Sequence, residues 1–179
     1  MLETAMNAYW QEDRSAVSVN AVCGLAGVSK PSLYREFGSE DGLTAAVLAR
    51  YGQTVLASLQ VLLASPQTYS AKLDALISFA SDDPKMDAGC LFVKMRANRS
   101  RLGPQTQALL TAMEAKLQRH YAGLFTEAVE RGEWRGGIAT DLAASYLQEQ
   151  LGMALSQRAA GKNPDAVRAC LELAMAVLR

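Results

Sequence analysis

Side chains able to make or break bonds are sparse in this sequence. One histidine, His120, and three cysteines, Cys23, Cys90 and Cys170, are scattered over 179 residues. No CxxC pair is present, which argues against a redox motif or a zinc ribbon. A lone histidine cannot assemble a histidine-rich site, so no metal is expected. The thiols read as small buried hydrophobes in a reducing compartment. Catalysis has no better footing. There is no ExxH repeat to hold a di-iron pair, no Gly-rich phosphate loop and no GxSxG turn. Cys90 with His120, as nucleophile and base, lacks a third group to orient the histidine. The expectation is a protein that is not an enzyme, with no catalytic residue and no cofactor.

Binding chemistry is better represented. Lys94, Arg96, Arg99 and Arg101 place four positive charges in eight residues with no acid among them. Such a run suits an anion site, either for an acidic effector or as a brace near DNA. The alternative is a solvated helix end whose cations favour the C-terminal dipole. Phe92, Met95, Met113, Phe125 and Trp134, with His120 and Tyr121, could line an adaptable apolar pocket or simply fill a core.

The chain has 18 Lys plus Arg against 18 Asp plus Glu, and half of its residues are hydrophobic. That composition excludes intrinsic disorder and allows a real core without disulfides or a structural metal. Zero net charge withholds the simplest mark of a nucleic-acid binder. The start, Met1-Leu2-Glu3-Thr4, has no basic leader and is not expected to be a secretory signal. The longest uncharged stretch, Tyr51 to Ala71, contains Gln53, Gln60, Pro66 and Gln67 and should not span a membrane. A soluble, cytoplasmic protein with no membrane partner is expected.

The elements that must position these residues read as all-α. Apolar residues recur at helical spacing, Ala and Leu dominate, and the five prolines fall mostly at helix starts or between helices. A first helix over residues 2 to 11 carries Leu2, Ala5, Met6, Tyr9 and Trp10 on one face. A connector with Asp13, Arg14 and Ser15 leads to Ser18, which caps a helix over 19 to 25. Ser29 caps a second short helix over 30 to 36, with Pro31 in its first turn. Gly38 stops that helix, and Ser39 caps a long one reaching about Ala64. Further helices are expected over roughly 69 to 81, 88 to 100, 104 to 131, 139 to 160 and 164 to 178. The result is a small three-helix unit at residues 1–45, a linking helix to about 64, and a larger helical part over 46–179.

The segment between the two short helices carries the most information. Cys23 and Ala26 are small where two crossing backbones would approach, and Gly27 accepts the positive φ of a sharp turn. Val22, Val28, Leu33 and Phe37 supply apolar contacts between the helices. This is the pattern of a helix-turn-helix, whose second helix enters the major groove.

The run Ser18-Val19, Ala26-Gly27-Val28-Ser29 and Leu33-Tyr34-Arg35-Glu36-Phe37, followed by Leu43, resembles the N-terminal domain of TetR-family transcriptional regulators (TetR/AcrR-like) over about residues 2 to 50. Gly89-Cys90-Leu91-Phe92 is similar to a motif frequent at the start of that family's sixth helix. The resemblance implies a homodimeric DNA-binding repressor with an N-terminal helix-turn-helix domain. It also implies a larger C-terminal helical domain for effector binding and dimerisation. A small molecule of unknown identity would shift the spacing of the two heads and release the double-stranded operator. Carried over by position, Ser18 would hold a phosphate with its hydroxyl and N–H. Ser29 would cap the recognition helix, Lys30, Pro31 and Ser32 would face base edges, and Tyr34 and Arg35 would touch phosphate. The long helix at 104 to 131 would line the ligand cavity. That makes Phe92, Met95, Arg96, Met113, His120 and Tyr121 the effector-pocket candidates.

Several positions depart from the family's pattern, with Asp13 where glycine is common, Glu40 in place of a lysine, and Glu36 in place of a histidine. Residues 1 to 50 hold four cations and six acids, a net −2. Phosphate neutralisation supplies most DNA affinity, so weak non-specific binding is expected from such a head. The last two helices carry Leu142, Tyr146 and Met153, then Leu171, Ala174 and Leu178, with a second stripe of Leu147, Leu151 and Leu155. One stripe serves the monomer core and another a four-helix dimer interface, for which Leu142, Tyr146, Met153, Leu171, Ala174 and Leu178 are the candidates. The reading is a DNA-binding transcriptional regulator, a repressor released by a small effector. Its alternative is a dimer of the same shape, for ligand or protein binding, with weak or lost DNA binding.

Overall fold

A computed structural model describes residues 1–12 and 17–179; Asp13, Arg14 and Ser15 of the expected connector lie outside the described residues. Among those residues the protein is all-α and has no strand. Its helices are α1 (Leu2–Gln11), α2 (Val19–Ala26), α3 (Lys30–Phe37), α4 (Glu40–Thr54), α5 (Leu56–Leu63), α6 (Tyr69–Ser81), α7 (Leu91–Ala97), α8 (Pro104–Glu130), α9 (Thr140–Ala159) and α10 (Pro164–Met175). Short 3₁₀ turns occupy Pro84–Met86, Arg99–Arg101 and Ala176–Leu178. The chain divides into two compact units, Met1–Leu56 with Cys90–Met113, and Ala57–Gly89 with Glu114–Arg179.

In the first unit α2, α3 and α4 are each started by a hydroxyl. Ser18 accepts the Ala21 N–H at 3.1 Å, Ser29 that of Ser32 at 3.3 Å, and Ser39 that of Gly42 at 2.9 Å. These bonds satisfy donors that a helix start leaves without an intrahelical partner. The inner faces bury Tyr9, Val22, Leu33, Leu43, Val47, Leu48, Tyr51 and Leu91. Trp10 meets the Tyr51 ring edge-on at 5.0 Å. The Tyr51 hydroxyl donates to Cys90 Sγ at 3.2 Å. Burial pushes the Cys90 thiol up, as suits a small core group.

Three expected helices are shorter than their sequence patterns suggest. The helix expected to run to Ala64 ends at Thr54, and α5 restarts at Leu56. Gly52, Thr54 and Val55 are poor helix formers within four residues, and the Thr54 hydroxyl bonds back to the Arg50 carbonyl at 2.9 Å. The helix expected over 88 to 100 is α7 alone. The Asn98 amide closes it by donating to the Lys94 carbonyl at 3.1 Å. The last helix tightens into the 3₁₀ turn at Ala176–Leu178. The run Glu40–Leu63 is long and apolar enough to cross a membrane, with mean hydropathy 1.2. Its Leu43, Val47, Leu48 and Tyr51 are nevertheless taken up by the first unit's own core.

The second unit packs α6, the later part of α8, α9 and α10. Tyr69, Phe125 and Trp134 form an aromatic trio, with Phe125 to Trp134 centroids 4.9 Å apart. Phe125 and Trp134 therefore fill core. The buried Lys72 ammonium reaches Glu127 at 3.0 Å and holds that carboxyl below its usual range. Ion pairs Arg158–Asp87, Arg168–Asp82 and Arg179–Asp74 tie the unit's segments together.

Candidate nucleic-acid interface

The turn between α2 and α3 is built by three residues, Gly27, Val28 and Ser29. Gly27 adopts φ 65°, a left-handed conformation that an L side chain resists. There its N–H reaches back to the Cys23 and Gly24 carbonyls, and the Val28 N–H bonds Cys23 O at 3.0 Å. This closes α2 on its own last carbonyls and redirects the chain into α3. Leu33 is the fully buried anchor of α3, with Val28 and Phe37 half-buried beside it.

With Leu33 inward, the opposite face of α3 is exposed, and it carries Lys30, Pro31, Tyr34 and Arg35. The Ser29 oxygen is occupied as the α3 cap, as Ser18 is for α2. Both hydroxyls keep a proton to donate to an anion at the helix start. Ser32 is half-buried and accepts from Arg35 at 3.5 Å, while the Tyr34 hydroxyl donates to Glu40 at 3.3 Å. The face therefore offers an ammonium, a guanidinium and three hydroxyls, which is the donor set for phosphate and base edges.

Two features of this unit were not readable in advance. Asp41, in the first turn of α4, accepts the Gln105 N–H at 2.8 Å, the Thr106 N–H at 3.1 Å and the Thr106 hydroxyl at 2.5 Å. It thus caps α8 across 65 residues of sequence, a separation at which no local pattern signals a pairing. A methyl group at Gly103 would overlap the same carboxylate, so the start of α8 is clamped on the start of α4. Lys94 of α7 donates to the Trp10 carbonyl at 2.6 Å, at the end of α1. The cationic run at 94–101 therefore belongs to the compact unit that contains the helix-turn-helix. Over that whole unit eight cations face six acids, a net +2, whereas residues 1 to 50 alone net −2.

The effector candidates do not fall in one unit. Phe92, Met95, Arg96 and Met113 lie in the first, with Phe92 and Met95 buried in its core. His120 and Tyr121 lie in the second, where Tyr121 is buried and His120 half-buried. Among the described residues no cluster of three or more His, Cys, Asp or Glu could hold a metal.

The dimer candidates differ in exposure within one chain. Leu171 and Leu178 are buried in their own unit, because the inner face of α10 packs on α6 and α9; the Leu178 carbonyl accepts from the Tyr69 hydroxyl at 2.5 Å. Tyr146 and Ala174 are half-buried, and the Tyr146 hydroxyl donates to the Ala174 carbonyl at 2.9 Å. Leu142 and Met153 are exposed, at 60% and 55%. Leu173 and Val177, which the sequence pattern did not single out, are exposed at 79% and 62%.

The profile of bacterial regulatory proteins of the tetR family matches residues 1–47, the span of α1 to the middle of α4. The HTH-type transcriptional repressor ComR of Escherichia coli (strain K12) is 27% identical over 166 residues, covering 88% of this chain and 77% of ComR. The crystal structure of Escherichia coli NemR in its reduced form superposes with a TM-score of 0.87 at 18% identity, covering 99% of this chain and 95% of NemR. A cysteine mutant of the TetR-family regulator CifR, complexed with 26-bp double-strand operator DNA, gives a TM-score of 0.77 at 20% identity over 99% and 94% of the two chains. At these identities the structural likeness establishes the fold. Over residues 1–47 the chain is thus similar to the bacterial regulatory proteins of the tetR family, and over its length it is similar to the repressor ComR.

Proposed function

We propose that this protein is a cytoplasmic, homodimeric repressor that grips a double-stranded operator through α3 and lets go when a small molecule binds. The observation that carries the DNA half of this reading is the exposed donor face of α3, Lys30, Pro31, Tyr34 and Arg35, held outward by buried Leu33 and the Gly27 turn. The naming of ComR as a repressor, and the operator complex of CifR, support the same direction of action. A dimer would place two such helices in successive major grooves about 34 Å apart, so the operator should be a near-palindrome. Release follows from linkage. An effector that binds the DNA-incompetent conformation better lowers operator affinity by its differential binding free energy, about 1.4 kcal/mol for each tenfold.

The test is fluorescence anisotropy on DNA from upstream of the protein's own gene, against scrambled DNA of equal length, at several salt concentrations. Operator binding should exceed scrambled binding by about 10³-fold or more. Equal, weak binding to both at low salt would sink the regulator reading and leave a TetR-shaped dimer that does not grip DNA.

A further inference from the structure

We propose that Arg101, on the connector between α7 and α8, is a second contact to the DNA backbone, taking a phosphate beside the footprint of α3. This inference rests on the DNA-binding reading above and adds a residue outside the helix-turn-helix. Three observations meet at the start of α4. On one side, the Tyr34 hydroxyl at the outer edge of α3 reaches Glu40 at 3.3 Å. On the other, the next residue, Asp41, clamps the backbone of Gln105 and Thr106 and lies against Gly103. The outer edge of α3 and the connector thus share two adjacent residues. Arg101 is two residues from Gly103, a chain distance of at most about 7 Å.

Charge then argues for its use. Glu40 and the exposed Tyr34 share this edge of the head, and a carboxylate there repels an approaching polyanion. Cations must come from nearby chain, and the connector supplies them. Lys94 is committed to the Trp10 carbonyl. Arg101 is exposed, and among the described residues it holds no carboxylate. Asp41 already accepts three hydrogen bonds, so it is a poor internal partner for the guanidinium. Arginine's planar fork of donors suits a phosphate's paired oxygens.

The salt dependence of operator binding by the full dimer is the test, measured for wild type, Arg101→Ala, Arg101→Lys and a control, Arg119→Ala, an exposed arginine of the second unit. Each phosphate contact contributes about 0.9 to the slope of log K against log salt, so Arg101→Ala should lower the slope by about 1.8 in a dimer. Affinity should fall by the same factor on operator and scrambled DNA. Arg101→Lys should retain the slope, and Arg119→Ala should leave it unchanged. A wild-type slope for Arg101→Ala, in a variant whose circular dichroism is normal and alongside a Tyr34→Phe variant that does weaken binding, overturns this contact and spares the regulator reading. A wild-type protein that binds no DNA overturns both.

Discussion

Lys30 and Tyr34 share one exposed face of α3 and should do different things there. Lys30 stands at the first position of the helix, where a side chain in the major groove meets base edges. Tyr34 lies one turn further, and its hydroxyl already leans on the Glu40 carboxylate, a geometry suited to an oxygen acceptor beside the groove. Lys30→Ala should therefore cost about 1–3 kcal/mol on the preferred operator and much less on a mismatched one. Tyr34→Phe should weaken both equally. Competition binding over a set of single-base operator variants separates them, and equal losses for Lys30→Ala on matched and mismatched DNA would remove Lys30 from base reading. These residues were legible because their placement is local. Ser18, Ser29 and Gly27 act within three or four positions of themselves, so the order of residue types along the chain carries their geometry. Asp41 acts on a partner far along the chain, and its type alone marks it only as an acid in a first helical turn.

At the scale of the element, α4 holds the most surprises. Its start was legible from Ser39, but its end was not. Helical periodicity continues through Val55 into α5, whereas the break comes from a run of weak helix formers whose effect a stripe pattern does not register. The first turn of α4 also serves a second helix. Asp41 gives the long α8 the cap that its own sequence lacks, since Gly103-Pro104 offers no side-chain acceptor before it. Removing that carboxylate leaves two backbone N–H groups without their acceptor, and leaves the buried Thr106 hydroxyl only the Asp41 carbonyl at 3.2 Å. Asp41→Ala should destabilise the protein by about 1–3 kcal/mol, visible as a lower midpoint in thermal or urea unfolding. Asp41→Asn should recover part of the loss, because the amide oxygen still accepts. An unchanged midpoint for Asp41→Ala would mean that solvent replaces the carboxylate at no cost, and that the clamp does not hold the two helix starts together.

For the whole molecule the question is which apolar face stays uncovered in one chain. Periodicity makes α9 apolar nearly all round and gives the last helix one stripe, which is why a second copy was expected. It could not say which stripe the monomer core would take. The core took Leu147, Leu151 and Leu155 of α9 and Leu171 of α10, leaving Leu142, Met153, Leu173 and Val177 outside. Four large side chains exposed on two helices of one unit mark a surface that association would bury. A shallow cleft between the same helices, bordered by Met153, Gln157 and Cys170, offers an opposing side chain a place to insert. A symmetric pairing across this face would form a four-helix bundle from two α9–α10 pairs. The double substitution Leu173→Glu with Val177→Glu would bring like charges together across a two-fold axis while sparing the buried Leu171. If this face pairs two copies, light scattering should report a dimer for the wild type and a monomer for the double variant, with helix content by circular dichroism retained. Operator affinity should fall by about 10² to 10⁴, since the second head no longer binds at the effective concentration its partner provides. A dimer that survives both carboxylates would place the interface on other helices, and the spacing of the two reading heads would then have to be set from there.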